Sequence, residues 1–244
     1  MESIDGKIAL VTGANKGIGL ETARQLAREG FTVLLGSRDA ERGATAAKKL
    51  RDEGLDARSL KLDVTESVDR VAAVKMITEK FGRLDVLVNN AGMILDRGIK
   101  TSEVSLEILR STFDLNFFST VAMTQELLPL LRKSMAGRIV NVSSNLGSLT
   151  QHSEVGSSIY NVKLLAYDAS KTALNAFTVH LAHELKDTPI KVNSAHPGWV
   201  KTDMGGDDAP MDAVDGAKTS VQLATLPPEG PTGGFFHMGE VIPW

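Results

Sequence analysis

The chain has 244 residues, with 27 Lys and Arg against 30 Asp and Glu, and therefore a formal net charge of −3. That balance argues against a nucleic-acid-binding protein held by a basic face. The absence of cysteine excludes disulfides, thiol catalysis and cysteine-ligated metal sites. It is compatible with the cytoplasm, where we expect the protein. No segment approaches the roughly 18 consecutive apolar residues of a membrane span.

The predicted organisation is a single domain over residues 1–244, since domains run to about 250 residues. The N-terminal sequence MESIDGKIALVTG has too short an apolar run for a signal peptide and fits a first strand. The strands predicted from continuous apolar runs are 7–11, 32–35, 60–62, 86–88, 139–142 and 192–195. The predicted helices are 18–29, 40–53, 66–80, about 105–133, about 165–185 and 211–226.

This alternation predicts an α/β fold, with a three-layer, doubly wound parallel sheet that has helices on both faces. Residues 233–241 could add one last strand. Pro129 is expected to bend or end the long fourth helix. The stretch 203–231 departs from the regular alternation of strands and helices, with Gly- and Pro-rich loops on both sides of a helix. We predict that this loop and helix region covers the substrate.

A glycine-rich loop, TGANKGIG at 12–19, joins the first predicted strand to a helix. Glycines there let the backbone turn tightly and let a pyrophosphate approach the helix N-terminus, where free N–H groups favour anions. An ordinary turn without a ligand is the alternative. The position of the loop in the first βα unit favours phosphate binding.

Six motifs in chain order, between residues 7 and 202, resemble the short-chain dehydrogenase/reductase family. They are TGxxxGxG at 12–19, NNAG at 89–92, Asn116, NVSS at 141–144, YxxxK at 167–171, and Pro197-Gly198 with Thr202 beyond. The resemblance implies a Rossmann fold and hydride transfer between a nicotinamide and a carbonyl or secondary alcohol. Asn15-Lys16, Ser37-Arg38-Asp39 and the long gap from Ser144 to Tyr167 are most similar to monomeric NADPH-dependent carbonyl reductases and related plant-type reductases.

Tyr167 and Lys171 are four positions apart and share one face of a predicted helix. A phenol has a pKa near 10, and a nearby ammonium is expected to lower it, which would make Tyr167 a better acid–base group. A surface Tyr and Lys without a role are the alternative, which the surrounding motifs disfavour. The resemblance implies that Lys171 also binds the nicotinamide ribose.

Ser144 ends a predicted central strand, where open α/β sheets bind ligands. We expect its hydroxyl to hold the substrate carbonyl, with Ser143 as the rival on the opposite side of the strand. By resemblance Ser144 is the catalytic serine, and Asn116 holds a water in a proton relay through the active-site lysine. A polar residue at a helix kink is the alternative for Asn116. The five histidines show no metal-ligand pattern, so no metal is expected.

Arg38, after the second predicted strand, offers a planar donor fork suited to a 2′-phosphate. Ser37 and Lys16 could add a hydroxyl and a second positive charge, so NADPH is the predicted cofactor. The alternative is that Asp39 binds a 2′-hydroxyl, but Asp39 is better placed as a helix N-cap. With the glycine loop and the positions matched by resemblance, the predicted cofactor-binding set also contains Gly13, Asn15, Gly17, Ile18, Gly19, Asp63, Val64, Asn90, Ala91, Gly92, Tyr167, Lys171, Pro197, Gly198, Val200 and Thr202.

The predicted activity is carbonyl reduction of a small molecule, and two alternatives stay open. One is a 3-oxoacyl carrier-protein reductase, against which the long Ser-to-Tyr gap counts. The other is a non-catalytic NADPH-binding regulator, which the intact Ser, Tyr, Lys and Asn disfavour.

The residues inserted in that gap, near 151–164, are expected to cover the outer face of the YxxxK helix. This predicts a monomer rather than a homodimer or homotetramer. Segments 93–98, 151–160 and 202–214 are the predicted roof of the substrate pocket.

Overall fold

A computed structural model describes residues 6–244 of the chain. Residues 1–5, which formed part of the N-terminal segment considered as a signal peptide, lie outside the described residues. Eight strands form one sheet in the order β3-β2-β1-β4-β5-β6-β7-β8. They are β1 (Ile8–Val11), β2 (Thr32–Ser37), β3 (Ala57–Lys61), β4 (Val86–Asn89), β5 (Arg138–Val142), β6 (Lys191–Ala195), β7 (Phe235–His237) and β8 (Glu240–Val241). β1 to β7 pair in parallel, and β8 pairs antiparallel with β7.

Helices cover both faces of this sheet. They are α1 (Gly17–Arg28), α2 (Ala40–Asp52), α3 (Ser67–Phe81), α4 (Leu106–Phe113), α5 (Ser119–Leu131), α6 (Leu149–Ser153), α7 (Leu165–Glu184) and α8 (Ala213–Ala224). One apolar cluster joins the sheet to α3, α5 and α7, and a second joins it to α1, α2 and α8. The strand β1 shows why the central strands read as continuous apolar runs, because Ile8 and Leu10 enter the first cluster and Ala9 and Val11 the second.

The predicted three-layer α/β architecture is confirmed, with four differences in detail. The sheet is mixed rather than wholly parallel, because residues 235–241 form a β7–β8 hairpin instead of one strand. β3 begins earlier than predicted and carries exposed polar residues, which hid it from a search for apolar runs. Pro129 lies inside α5 and does not end it.

The fourth difference is a π-helical turn, Asp114–Phe118, that interrupts the predicted long helix between α4 and α5. A π turn adds a residue to the helix and frequently marks a functional position. Here it contains Asn116, the fully buried member of the turn.

Candidate active site

The site lies at the carboxyl ends of β1, β4, β5 and β6, where the glycine loop and the NNAG segment meet. Gly13 and Gly17 have φ angles of +63° and +57°, a region that favours glycine. Gly19 has no room for a side chain, because a Cβ there would lie 2.5 Å from Asn90 Nδ2 and 2.6 Å from the Gly13 carbonyl oxygen. The loop therefore leaves its backbone open at the N-terminus of α1, where it can hold a phosphate.

Thr12 and Asn90 lock the two loops together. The Thr12 hydroxyl oxygen accepts hydrogen bonds from the backbone N–H groups of Asn90 and Ala91 at 2.9 and 3.0 Å. In return, Asn90 Nδ2 donates to the Thr12 carbonyl oxygen at 2.8 Å. Thr12 was absent from the predicted site residues. Its place as the first residue of the glycine loop, directly after β1, was the signal that could have identified it.

Beneath the site, a ladder of polar side chains crosses three central strands. Asn89 Nδ2 donates to Thr124 Oγ1 and to Asn141 Oδ1, at 3.0 and 2.9 Å. Asn141 Nδ2 donates to Thr178 Oγ1 at 2.9 Å, and that hydroxyl lies 2.9 Å from Ser194 Oγ. All five side chains are buried, and each is bonded, as buried polar groups must be. Sequence reasoning did not identify this ladder.

Ser144 and Ser143 face different surroundings at the end of β5. The Ser143 hydroxyl donates to Asn175 Oδ1 at 2.7 Å inside the protein. Ser144 lies next to Tyr167, whose pKa it affects, and its Oγ accepts from the Leu146 N–H at 3.2 Å. The hydroxyl beside the phenol is therefore that of Ser144, and its catalytic role stays a prediction.

Tyr167 and Lys171 lie on one face of α7, and both are buried. Burial raises the pKa of Tyr167 to about 12, and the neighbouring Ser144 hydroxyl acts in the opposite direction. Burial likewise lowers the pKa of Lys171 to about 8. The expected lowering of the Tyr167 pKa is wrong for this arrangement. The Lys171 ammonium donates to the Val142 carbonyl oxygen at 2.8 Å and lies 5.7 Å from the centre of the tyrosine ring.

Asn116 ties the π turn to the two neighbouring segments. Its Oδ1 accepts from the Met93 N–H at 2.9 Å, and its Nδ2 donates to the Met93 carbonyl oxygen and to Ser170 Oγ, both at 3.0 Å. Its own carbonyl oxygen accepts from the Thr120 hydroxyl at 3.3 Å. Gly92 is adjacent, because a Cβ there would lie 3.4 Å from Asn116 Oδ1 and 3.6 Å from Lys171 Nζ. The side chain of Asn116 thus joins the π turn to the segment after NNAG and to α7.

The residues predicted to select the cofactor lie at the end of β2 and in the glycine loop. Arg38 is exposed, and no ion pair between residues 6 and 244 involves it. Asp39 caps α2 by accepting from the Arg42 N–H at 3.0 Å, as predicted. The Ser37 hydroxyl donates to the Asp39 carbonyl oxygen at 2.8 Å. Arg38 is therefore the donor that is free to meet a phosphate at this position.

Lys16, expected as a second positive charge for the cofactor phosphate, extends across the cleft and forms an ion pair. Its ammonium pairs with Asp203, on the loop that follows β6. The two loops also touch at Gly17, where a Cβ would lie 3.3 Å from Thr202 Cγ2. This cross-cleft pair could not be expected from the sequence, since the two residues are 187 positions apart.

After β6, the backbone turns back on itself. Gly198 has a φ of +88°, and a Cβ there would overlap Met211 Sδ at 2.3 Å. Val200 pairs with Met211 in an isolated bridge. The Thr202 hydroxyl oxygen accepts from the Gly205 N–H at 3.0 Å. Residues 203–212 form an irregular segment, so the helix predicted from 211 begins only at α8.

His196, next to Pro197, is a site neighbour that sequence reasoning missed. Its Nδ1 accepts from the N–H groups of Asn145 and Gly198 at 3.3 and 3.4 Å. It thereby links the loop after β5 to the loop after β6. Burial, with a smaller effect from His237, lowers the pKa of His196 to about 3.

The adenine side of the predicted site is formed by Asp63 and Val64, after β3. Asp63 Oδ1 accepts from the N–H and hydroxyl of Thr65 at 3.0 and 2.7 Å, and Val64 is buried. Across residues 6–244, no group of three or more His, Cys, Asp or Glu could hold a metal. Within the same residues, no helix is long and apolar enough to cross a membrane.

Known proteins are similar to this chain over nearly its whole length. It is 36% identical to carbonyl reductase [NADPH] 1 of Mus musculus, over 97% of this chain and 98% of that protein. It is 34% identical to short-chain dehydrogenase/reductase 1 of Saponaria officinalis, over 98% of this chain and 96% of that protein. The crystal structure of NADPH-bound carbonyl reductase from chicken fatty liver superposes with a TM-score of 0.85 at 26% identity, over 98% and 99% of the two chains.

The family model described as short chain dehydrogenase matches residues 7–213. That match spans the glycine loop, the NNAG segment and the Ser144–Tyr167–Lys171 cluster described above. The chain therefore belongs to the short-chain dehydrogenase/reductase family of oxidoreductases.

Proposed function

We propose that Tyr167 is the general acid of an NADPH-dependent carbonyl reductase, with Ser144 and Lys171 beside it. The chain is an NADP-dependent oxidoreductase that acts on carbonyl or secondary alcohol groups. The observation that carries the residue roles is the meeting of Ser144, Tyr167 and Lys171 at the end of β5.

The residues present fit a nicotinamide dinucleotide. The glycine loop excludes side chains at Gly19 and leaves N–H groups at the start of α1, which suits a pyrophosphate. The exposed guanidinium of Arg38 suits a 2′-phosphate. When bound, the cofactor supplies the hydride that reduces the carbonyl carbon.

Tyr167 is in the protonation state that reduction needs. With a pKa raised to about 12, the phenol is neutral at pH 7 and can donate its proton to the carbonyl oxygen as negative charge develops there. The Ser144 hydroxyl holds the same oxygen, so that proton and substrate stay within hydrogen-bond reach. A positive charge on Lys171 stabilises the phenolate that remains.

Asn116 and Asp63 support the proposed site from its two ends. Asn116 holds the segment after NNAG to α7 and thereby keeps Lys171 in place. Its predicted second role is to hold a water in a proton relay through Lys171. Asp63 and Val64 line the adenine end, while Pro197, Val200 and Thr202 flank the nicotinamide end.

Specificity depends on the loops around the cleft, in this proposal. Residues 93–98, 151–160 and 202–214 border the catalytic cluster, and 203–231 covers the substrate as one loop and helix region. A monomer in the cytoplasm remains our prediction for the assembled state and location. Sedimentation at micromolar concentration and cell fractionation test these two points.

A substrate panel tests the function directly. NADPH oxidation should be steady with simple aldehydes and ketones and should not require a carrier-protein-linked substrate. Turnover only with a 3-oxoacyl carrier-protein substrate would favour the carrier-protein reductase. Tight NADPH binding without turnover on either class would favour a regulator.

A further inference from the structure

The catalytic helix α7 begins without a cap of its own, since the side chain of its N-cap residue Leu164 makes no capping bond. Two carboxylates instead accept hydrogen bonds from backbone N–H groups at the start of the helix. Asp168 Oδ2 accepts from the Leu164 N–H at 2.9 Å, and Asp96 Oδ2 accepts from the Ala166 N–H at 2.6 Å. Asp96 belongs to the loop after NNAG, so it fastens that loop to the turn that carries Tyr167.

Each of these two carboxyl groups has a second oxygen that is buried and unsatisfied. Asp96 Oδ1 and Asp168 Oδ1 have no hydrogen-bond partner among residues 6–244, and the Asp96 side chain is completely buried. A buried polar atom without a partner costs free energy, and more so when it is charged. The two carboxyls accept from N–H groups that are two residues apart at the start of α7, and the negative charge of Asp96 acts on Asp168.

We propose that Asp96 and Asp168 share one proton, held on Asp168 Oδ1 and donated to Asp96 Oδ1, and that this bond positions the first turn of α7. A single proton then satisfies both orphaned oxygens and removes the repulsion between two carboxylates. Asp96 and Asp168 act as positioning residues, since neither needs to touch the substrate.

The surroundings of Asp168 agree with a retained proton. Burial raises the pKa of Asp168 to about 7, and the negative charge of Asp96 adds to the rise, while the Leu164 N–H and Lys163 oppose it. Arg97, the residue after Asp96, is exposed and donates to the Met204 carbonyl oxygen, and its positive charge acts on Tyr167.

His152 is the competing site for the proton, since its Nε2 lies 3.3 Å from Asp168 Oδ2. Burial lowers the pKa of His152, and Lys163 lowers it further. The Lys163 ammonium lies 3.0 Å from His152 Nδ1, so a proton on that nitrogen would set one donor against another. His152 Nε2 can meanwhile donate to the Leu146 carbonyl oxygen at 2.9 Å. The neutral imidazole fits these contacts, which leaves the proton on the carboxyl pair.

The shared proton links pH to the position of Tyr167. Above the pKa of Asp168, about 7, both carboxylates are charged and the attachment of the 93–98 loop to α7 weakens. An ionised Asp168 also raises the pKa of Tyr167, which makes the phenol a weaker acid. This kinetic consequence rests on the proposed role of Tyr167, whereas the proton itself does not.

Infrared difference spectroscopy tests the proton without using activity. The full-length wild type should show the C=O band of a protonated, buried carboxylic acid at neutral pH, lost as the pH rises. The band should be missing at neutral pH in Asp168→Asn and in Asp96→Asn, because an amide N–H can replace the shared proton. Asp52→Asn, which removes an exposed carboxylate paired with Lys48 on α2, should keep it. A wild type without this band, as for a water-bridged pair or a protonated His152, would overturn the proposal.

Kinetics tests the positioning role. Asp96→Ala should lower kcat by about tenfold or more, the size of a lost hydrogen bond to a charged group. Its Kd for NADPH should change far less, because the phosphate loop lies on other elements. Asp96→Asn should restore kcat, and Asp168→Asn should flatten the fall in kcat above pH 7. If Asp96→Ala changes kcat and Kd equally, or Asp96→Asn gives no rescue, the role is only structural. If Tyr167→Phe is active while the band is present, the function proposal fails and the shared proton stands.

Discussion

The two sides of the cleft are built in different ways. On the cofactor side, the glycine loop and the NNAG segment fit together through backbone groups, with Thr12 and Asn90 making short, complete sets of hydrogen bonds. On the substrate side, many of the contacts that hold the segments 93–98, 149–164 and 202–212 are made by side chains, as in the pairing of Lys16 with Asp203 and the bond of Asp96 to the start of α7. Rigid backbone geometry defines the first side, and side-chain chemistry defines the second.

This difference separates binding from selectivity. On the cofactor side, positions such as Gly19 leave no room for a larger side chain. Changes there should therefore affect every reaction of the enzyme. Loops on a fixed scaffold generally tolerate substitution, so changes on the substrate side should alter selectivity more than cofactor binding. Four substitutions test that contrast, in order of decreasing effect.

Tyr167→Phe should have the largest effect, at the boundary of the two sides. It removes only the hydroxyl, so NADPH binding should persist while kcat falls by roughly 10²- to 10⁴-fold, the usual contribution of a general acid. Tyr160→Phe, at the second of the two tyrosines, removes a hydroxyl from the predicted roof of the pocket and should lower kcat far less. A mutant at position 167 with near wild-type kcat would rule out the acid role.

Arg38→Ala should reduce kcat/KM for NADPH by roughly 10- to 150-fold, the value of one charge-assisted contact of about 1.5–3 kcal/mol. The value for NADH should hardly change, because NADH has no 2′-phosphate. Arg28→Ala, at another exposed arginine, controls for the loss of positive charge. An unchanged ratio between the cofactors would show that Arg38 does not select NADPH.

Gly19→Ala tests how tightly the cofactor side is packed. Because the new Cβ would lie 2.5 Å from Asn90 Nδ2, we expect the free energy of unfolding to fall by about 1–3 kcal/mol, as for other overpacked sites. Gly6→Ala, whose Cβ would have no heavy atom closer than 3.7 Å, should be nearly neutral. Chemical denaturation of both variants measures the difference, and equal stabilities would contradict the packing argument.

Asp203→Asn should have the smallest effect, since it breaks an exposed ion pair. Without Asp203, the ammonium of Lys16 is free to meet the cofactor phosphate, so the Kd for NADPH should decrease by less than about fivefold. The change should shrink at high salt, because exposed charges are screened. Weaker binding in the mutant would indicate that Asp203 itself supports the bound cofactor.

The sequence predicted the parts of this molecule in which neighbouring residues decide the structure. The central strands, the cap at Asp39 and the clustering of Ser144 with Tyr167 follow from local pattern and motif spacing. The bonds of Asn116 to Met93 and Ser170 join residues that are distant in sequence. So do the bond of Asp96 to the start of α7 and the pairing of Lys16 with Asp203. Periodicity contains no information on such contacts, and the start of β3 was missed because the adjacent residues Arg58 and Ser59 are polar and exposed.

The same reasoning explains the error for Tyr167. Sequence spacing places an ammonium near the phenol and therefore predicts a lowered pKa. It does not reveal that the ammonium of Lys171 is directed to the Val142 carbonyl oxygen, or how deeply the phenol is buried. Burial then decides the sign of the shift.

The ladder from Thr124 to Ser194 has a consequence for how the chain reaches one native structure. Asn89 and Asn141 are direct partners across β4 and β5, as are Asn141 and Ser194 across β5 and β6. A slip of one residue between these strands would turn the amides toward the opposite, apolar face, where nothing could bond them. Strands rich in valine can pair in several registers at similar free energy. The polar side chains of the ladder favour the one register in which all of them are hydrogen-bonded. The ladder thus makes misaligned sheets costly before the active site has formed.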